Sequence, residues 1–75
     1  QRNRMIRGSR VSFRLLEEAA RRDDRQDFTR LAREIQWKTA LAEDLSRAID
    51  LALALELVPL AMELAQRGKQ LFPNS

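Results

Sequence analysis

The sequence predicts an all-α domain of three to four antiparallel helices arranged as stacked hairpins, and three observations predict it. Between Gly8 and Pro59 there is neither glycine nor proline, whereas a strand protein of this size needs such turn residues often. The interval is filled instead with Ala, Leu, Glu, Arg and Gln, which are strong helix formers. Its apolar residues recur three and four apart, the spacing of one helical face.

The elements follow in order. Residues 1–8 read as a basic N-terminal arm, polar, Arg-rich and ending in Gly8, ahead of a single helical domain over residues 9–75. A first helix is expected at about 10–22, with Ser9 or Ser12 able to cap it and Val11, Leu15, Leu16, Ala19 and Ala20 on one face. Arg21 and Arg22 suit the negative end of its dipole. Asp23 and Asp24 are poor helix-interior residues and good caps. Asp24 with Asp27 resembles a capping pair, so a second helix should start near Arg25 and run to about 37, burying Phe28, Leu31, Ala32 and Ile35. The apolar phase slips at Trp37, Lys38 and Thr39, which favours a break, with one continuous helix as the competing reading. Thr39 can cap a third helix at about 39–57, with Glu43 and Asp44 near its positive end. Pro59 closes that helix and can open a fourth, at about 59–71, whose face holds Leu60, Ala61, Leu64, Ala65 and Gly68. Its small residues would let another helix approach closely.

A weak internal repeat accompanies this pattern. At an offset of 33, Leu16 pairs with Ile49, Ala19 with Ala52, Leu31 with Leu64 and Ala32 with Ala65. On these residues, and mainly over residues 42–75, the chain resembles a tetratricopeptide-like helical repeat of the α-solenoid kind. Ala61, Gly68 and Pro73 stand where that family places small residues and its closing proline. The departures are Leu45 for a bulky aromatic, Ile49 for Gly or Ala, Ala52 for Tyr, Ala65 for an aromatic, and no Gly in Glu56-Leu57-Val58 before Pro59. The resemblance implies a scaffold that binds peptide or protein along a groove.

Composition narrows the function further. The chain of 75 residues has no Cys and no His, so disulfides, thiolate metal sites, the commonest zinc ligand and the commonest general base are all missing. The lack of Cys fits a reducing compartment, and a cytoplasmic location is expected. Hydrophobic residues make up 44% and charged residues 33%, too apolar for a disordered chain and too charged for a membrane span. The net charge of +3 is uneven: residues 1–14 hold five arginines and no acid, while the rest of the chain holds 9 bases and 11 acids. Arg2, Arg4, Arg7, Arg10 and Arg14 therefore form a candidate anion-binding set, and a nucleic acid or anionic surface is a possible partner. No recognition helix with Arg, Asn and Gln on one face supports it.

No catalytic residue, cofactor or metal ligand is nominated, and the chain is expected not to be an enzyme. Asp23, Asp24 and Asp27 spell DDxxD, which resembles the magnesium–diphosphate motif of terpene synthases, but 75 residues provide neither the cavity nor the second metal motif. An acidic helix cap among arginines is the better reading. Glu17-Glu18 and Glu43-Asp44 have no His to complete a helical di-metal site.

What remains is apolar surface. Residues 51–58 are apolar almost all round, with Glu56 the exception, and a helix of that kind is buried on more than one side. A core this small contributes only about 3–5 kcal/mol net, and repeat arrays need further units or caps. A protein partner or homo-oligomer, such as a two-fold dimer, is therefore expected, with Leu51, Leu53, Leu55, Leu57, Leu60, Leu64 and Phe72 as contacts. Trp37 is either a further anchor or the side chain that closes the core over the turn between helices 2 and 3. A segment of a larger enzyme or assembly is the other class left open.

Overall fold

The computed structural model describes residues 8–74. Four α-helices and one turn of 3-10 helix make up the fold, with no strand among the described residues. Helix α1 (Ser9–Arg21) packs against α2 (Arg25–Glu34), and α3 (Ala42–Ala54) packs against α4 (Val58–Leu71). The 3-10 turn Trp37–Thr39 joins the two hairpins and touches α4, while α3 lies against α1.

The two hairpins are built to one plan. The repeat offset that pairs Leu16 with Ile49 also carries Ser9 and Arg21, the ends of α1, onto Ala42 and Ala54, the ends of α3. The same shift carries Arg25, the start of α2, onto Val58, the start of α4. Their turns match bond for bond. The Asp24 N–H donates to the Ala19 carbonyl at 2.9 Å and the Asp23 N–H to Ala20 at 3.0 Å; the Leu57 N–H donates to Ala52 at 2.8 Å and the Glu56 N–H to Leu53 at 2.9 Å. Each pair is a Schellman closure, which satisfies carbonyls a helix end leaves unpaired and puts the residue after the C-cap in the left-handed region. Asp23 (φ 58°) and Glu56 (φ 63°) occupy that position.

The left-handed conformation costs roughly 1–2 kcal/mol for an ordinary side chain; Asp tolerates it through local hydrogen bonding, Glu less well, and Gly pays nothing sterically. Glu56→Gly is therefore expected to stabilise the fold by about 1 kcal/mol, read as a higher urea midpoint at unchanged slope. The Glu56 carboxylate offers little to lose, since it is mostly exposed and stands 4.0 Å from Arg25. A lower midpoint in the variant would mean the turn is held by something other than backbone closure.

Several boundaries differ from the sequence expectation, each for a local reason. Helix α2 stops at Glu34 rather than near 37, because Ile35 is extended and the chain enters the 3-10 turn. Helix α3 stops at Ala54 rather than 57, because the Schellman closure claims Leu55, Glu56 and Leu57. The break at 37–39 is present, and Asp24 caps α2 as expected, its Oδ1 accepting from the Asp27 N–H at 3.1 Å. The hydroxyl caps are not used. Thr39 Oγ1 donates to the Gln36 carbonyl, Ser9 Oγ to the Thr39 carbonyl, and α1 and α3 start behind Gly8 and Leu41 with no side-chain cap. Pro59 sits in the first turn of α4, one place after Val58, where its missing N–H costs no helical bond.

One continuous core joins both hairpins, running from Phe13, Leu16 and Phe28 through Trp37 and Leu45 to Leu60 and Leu64. Polar ties run along its edge. Arg25 Nε donates to the Leu55 carbonyl at 2.8 Å, capping the end of α3 from the neighbouring hairpin. Arg33 forms a forked pair with Glu63 at 3.3 and 3.1 Å, joining α2 to α4. Arg10 stands 3.3 Å from the buried Asp44, close enough for charge attraction though not aligned as a hydrogen bond. Such exposed arginine pairs fix register more than they add stability.

Candidate docking surface

Docking needs apolar surface that the folded chain leaves open, so burial decides among the residues the sequence nominates. Leu55, Leu60, Leu64 and Trp37 are enclosed in the core. These four are core residues and not the contact residues the sequence suggests, because the return of α4 carries Leu60 and Leu64 into the same core as Leu55 and Trp37. Trp37 also spends its one donor internally, on the Ala32 carbonyl at 2.9 Å. Leu51 and Leu57 are half-buried at the edge of the core. Leu53 is open, at 51% exposure, and half-buried Phe72 lines a surface cleft.

Of the anion-binding set, only Arg10 and Arg14 fall among the described residues. Arg2, Arg4 and Arg7 lie outside the described residues. Arg10 and Arg14 belong to α1 and not to an arm, and Arg10 is engaged with Asp44. At the DDxxD string the acids are tied to arginines: Asp24 and Asp27 to Arg22, Asp23 to Arg25, and Asp27 also to Arg30. The Arg30 hydrogen bond is the main reason the Asp27 carboxyl lies below its ordinary value of 3.8, with Arg22 adding to it and burial opposing. Among the described residues no group of three acids is placed to hold a metal ion, and no helix is long and apolar enough to cross a membrane.

The matching plan of the two hairpins shows where open surface lies. Helix α1 buries Ser12, Phe13, Leu16 and Ala19, and α3 buries Asp44, Leu45, Ala48 and Ala52. Ser12 with Leu45, and Ala19 with Ala52, are equivalent positions under the repeat offset; in both hairpins they are buried. Phe13 and Leu16 of α1 are buried, on a helix that meets α3 through the pairs Arg10–Asp44 and Glu17–Arg47, and their equivalents, Ser46 and Ile49, are exposed and half-buried. Conversely Asp44 and Ala48 of α3 are buried, while their equivalents Val11 and Leu15 are exposed, at 54% and 36%. The stack therefore has two unlike open ends: a front face on α1, and a rear face on α3 and α4.

The rear face holds a cleft of about 510 Å³ lined by Leu45, Ser46, Ile49, Gly68 and Phe72 among others. Gly68 lets α3 and α4 close beneath it: a Cβ there would stand 3.2 Å from Leu45 Cδ2. Asp50 and Leu53 are both exposed, and Leu53 follows Ile49 of the cleft by four residues, which places it one turn further along the same side of α3. The rest of the front face differs, since Asp27, Arg30 and Glu34 of α2 form an exposed ion-pair ladder on their own helix.

Sequence reading missed Val11, Leu15 and Ile49 as surface and overvalued Leu55, Leu60 and Leu64. The signal was available in the repeat offset, which pairs each residue with one at the other end of the stack. In comparisons with known proteins, no family model, no curated protein and no solved structure matches this chain.

Proposed function

We propose that this chain is a non-catalytic protein–protein interaction module, a tetratricopeptide-like pair of helical hairpins that takes an apolar helix of a partner on its rear face. The observation that carries this reading is the difference between equivalent positions. The surface that hairpin one covers with α3 is left uncovered on hairpin two, and there it keeps its apolar character at Ile49, Leu53, Gly68 and Phe72. A contiguous open apolar patch rimmed by charge is what an interaction site requires. The common period of the two hairpins supports the repeat-like reading, and an open end is the expected weakness of a short repeat stack.

Site-specific photo-crosslinking in cells that express the chain tests it. A photoreactive residue at Leu53 is expected to give discrete adducts with a partner chain. The same residue at Met62, which is 64% exposed on the outer side of α4, should give none. Adducts of equal yield at both positions, or none at Leu53, would overturn the reading.

A further inference from the structure

The geometry points to a definite occupant for the rear face: the front face of α1 from a second copy of this chain, so that copies stack head to tail. This rests on the docking reading above and goes beyond it by naming the partner.

Within one chain, α3 lies against α1 of hairpin one, with Asp44 beside Arg10 and Arg47 beside Glu17, and Phe13 and Leu16 are buried in the shared core. The open cleft at Ser46 and Ile49 is the same surface one repeat further along the chain. What fits it is a helix with the relation to hairpin two that α3 has to hairpin one. Helix α1 is the repeat equivalent of α3, of the same 13-residue length. The side it would present, Val11 and Leu15, is the side left exposed. The contact is therefore a continuation of an interface the chain already makes with itself.

Charge supports the same register. Between the hairpins Arg47 of α3 faces Glu17 of α1 at 3.9 Å. Shifted by one period, that pair becomes Arg14 of the incoming copy facing Asp50 of the first. Both residues are exposed, and neither has an ion-pair partner among the described residues. Val11 of the incoming copy would come opposite Glu43, as Asp44 comes opposite Arg10. A contact between two unlike faces is heterologous, and it builds chains or rings rather than an isolated two-fold dimer. This replaces the two-fold arrangement expected from sequence. The α2 half of the front face is self-paired and charged, so each contact is carried mainly by α1 and should be weak.

Two variants of the full chain, each at a half-exposed position, test it by sedimentation over a concentration series, with circular dichroism to verify folding. Val11→Glu places a carboxylate against Glu43 on the front face. Leu53→Arg places a cation in the rear contact, near Arg14 of the incoming copy. Burying such an unpaired charge is expected to weaken self-association at least about tenfold in either variant alone. Mixing the two is expected to restore one contact per pair, giving a 1:1 complex that grows no further, because the intact front of Leu53→Arg meets the intact rear of Val11→Glu. If Leu53→Arg is monomeric while Val11→Glu still associates, the contact is rear to rear and the head-to-tail proposal fails. A wild-type chain that stays monomeric up to millimolar concentration also overturns it. In that event Leu53-specific crosslinks to another protein would leave the docking reading standing, so the two claims fail separately.

Discussion

Phe28→Ala is expected to leave the chain largely unfolded at 25 °C. Phe28 is completely enclosed, and it and Leu16 are the largest side chains with essentially no exposure. It starts the buried stripe of α2 and sits in the one core that joins both hairpins. Removing a buried Phe side chain costs about 3–5 kcal/mol through lost transfer energy and a residual cavity. A domain of this length has a net stability of about 3–5 kcal/mol, so the two figures cancel. The helical circular dichroism signal should fall at low temperature and show no cooperative melt. Met62→Ala, on the solvent side of α4, is the matching control and should change the midpoint little. A cooperative transition in Phe28→Ala within a few degrees of wild type would mean the core is far more tolerant than its packing indicates.

How much of this was legible in the sequence differs by element. Asp24 and Asp27 announced α2, because an acid three residues before another at a helix start has one dominant use. The loss of phase at Trp37 announced the break between hairpins. The end of α3 was not legible, since Glu56 occupies a left-handed position where Gly is the usual signal and its neighbours are all good helix formers. Leu55 was read as surface because the run at 51–58, apolar on every side, has no marked face; Leu60 and Leu64 stand on a marked face of α4, but an apolar face does not say whether it meets its own chain or a partner. Only the return of α4, together with the stacking of both hairpins into one core, decides which side meets protein. The open cleft escaped for the same reason: Ile49 carries the same apolar stripe whether or not a helix lies over it. The information was present in a different form, in the repeat offset, which becomes a statement about burial only once the hairpins are known to stack.

Trp37→Ala and Trp37→Phe are expected to separate the packing role of this residue from its hydrogen bond, and both from any role in docking. The four carbonyls at the end of α2 have no partner within the helix. The Ile35 N–H takes that of Leu31 at 3.1 Å, and Trp37 Nε1 takes that of Ala32 at 2.9 Å. The indole thus caps α2 from beyond its end while filling the joint between the hairpins. Trp37→Phe keeps most of the bulk but strands a buried acceptor, for an expected loss of about 1–3 kcal/mol. Trp37→Ala adds the cavity, for about 3–5 kcal/mol in all, and at that cost hairpin one is no longer fixed to hairpin two. Chemical denaturation followed by circular dichroism checks both values, since the only Trp of the chain is removed in each variant. A Trp37→Phe midpoint equal to wild type would show that the hydrogen bond contributes nothing net. Under conditions where Trp37→Phe remains folded, its self-association and its crosslinking from Leu53 should match wild type, because the ring is enclosed and never meets a partner. Loss of either activity in a folded Trp37→Phe chain would place Trp37 on the docking surface and contradict its burial.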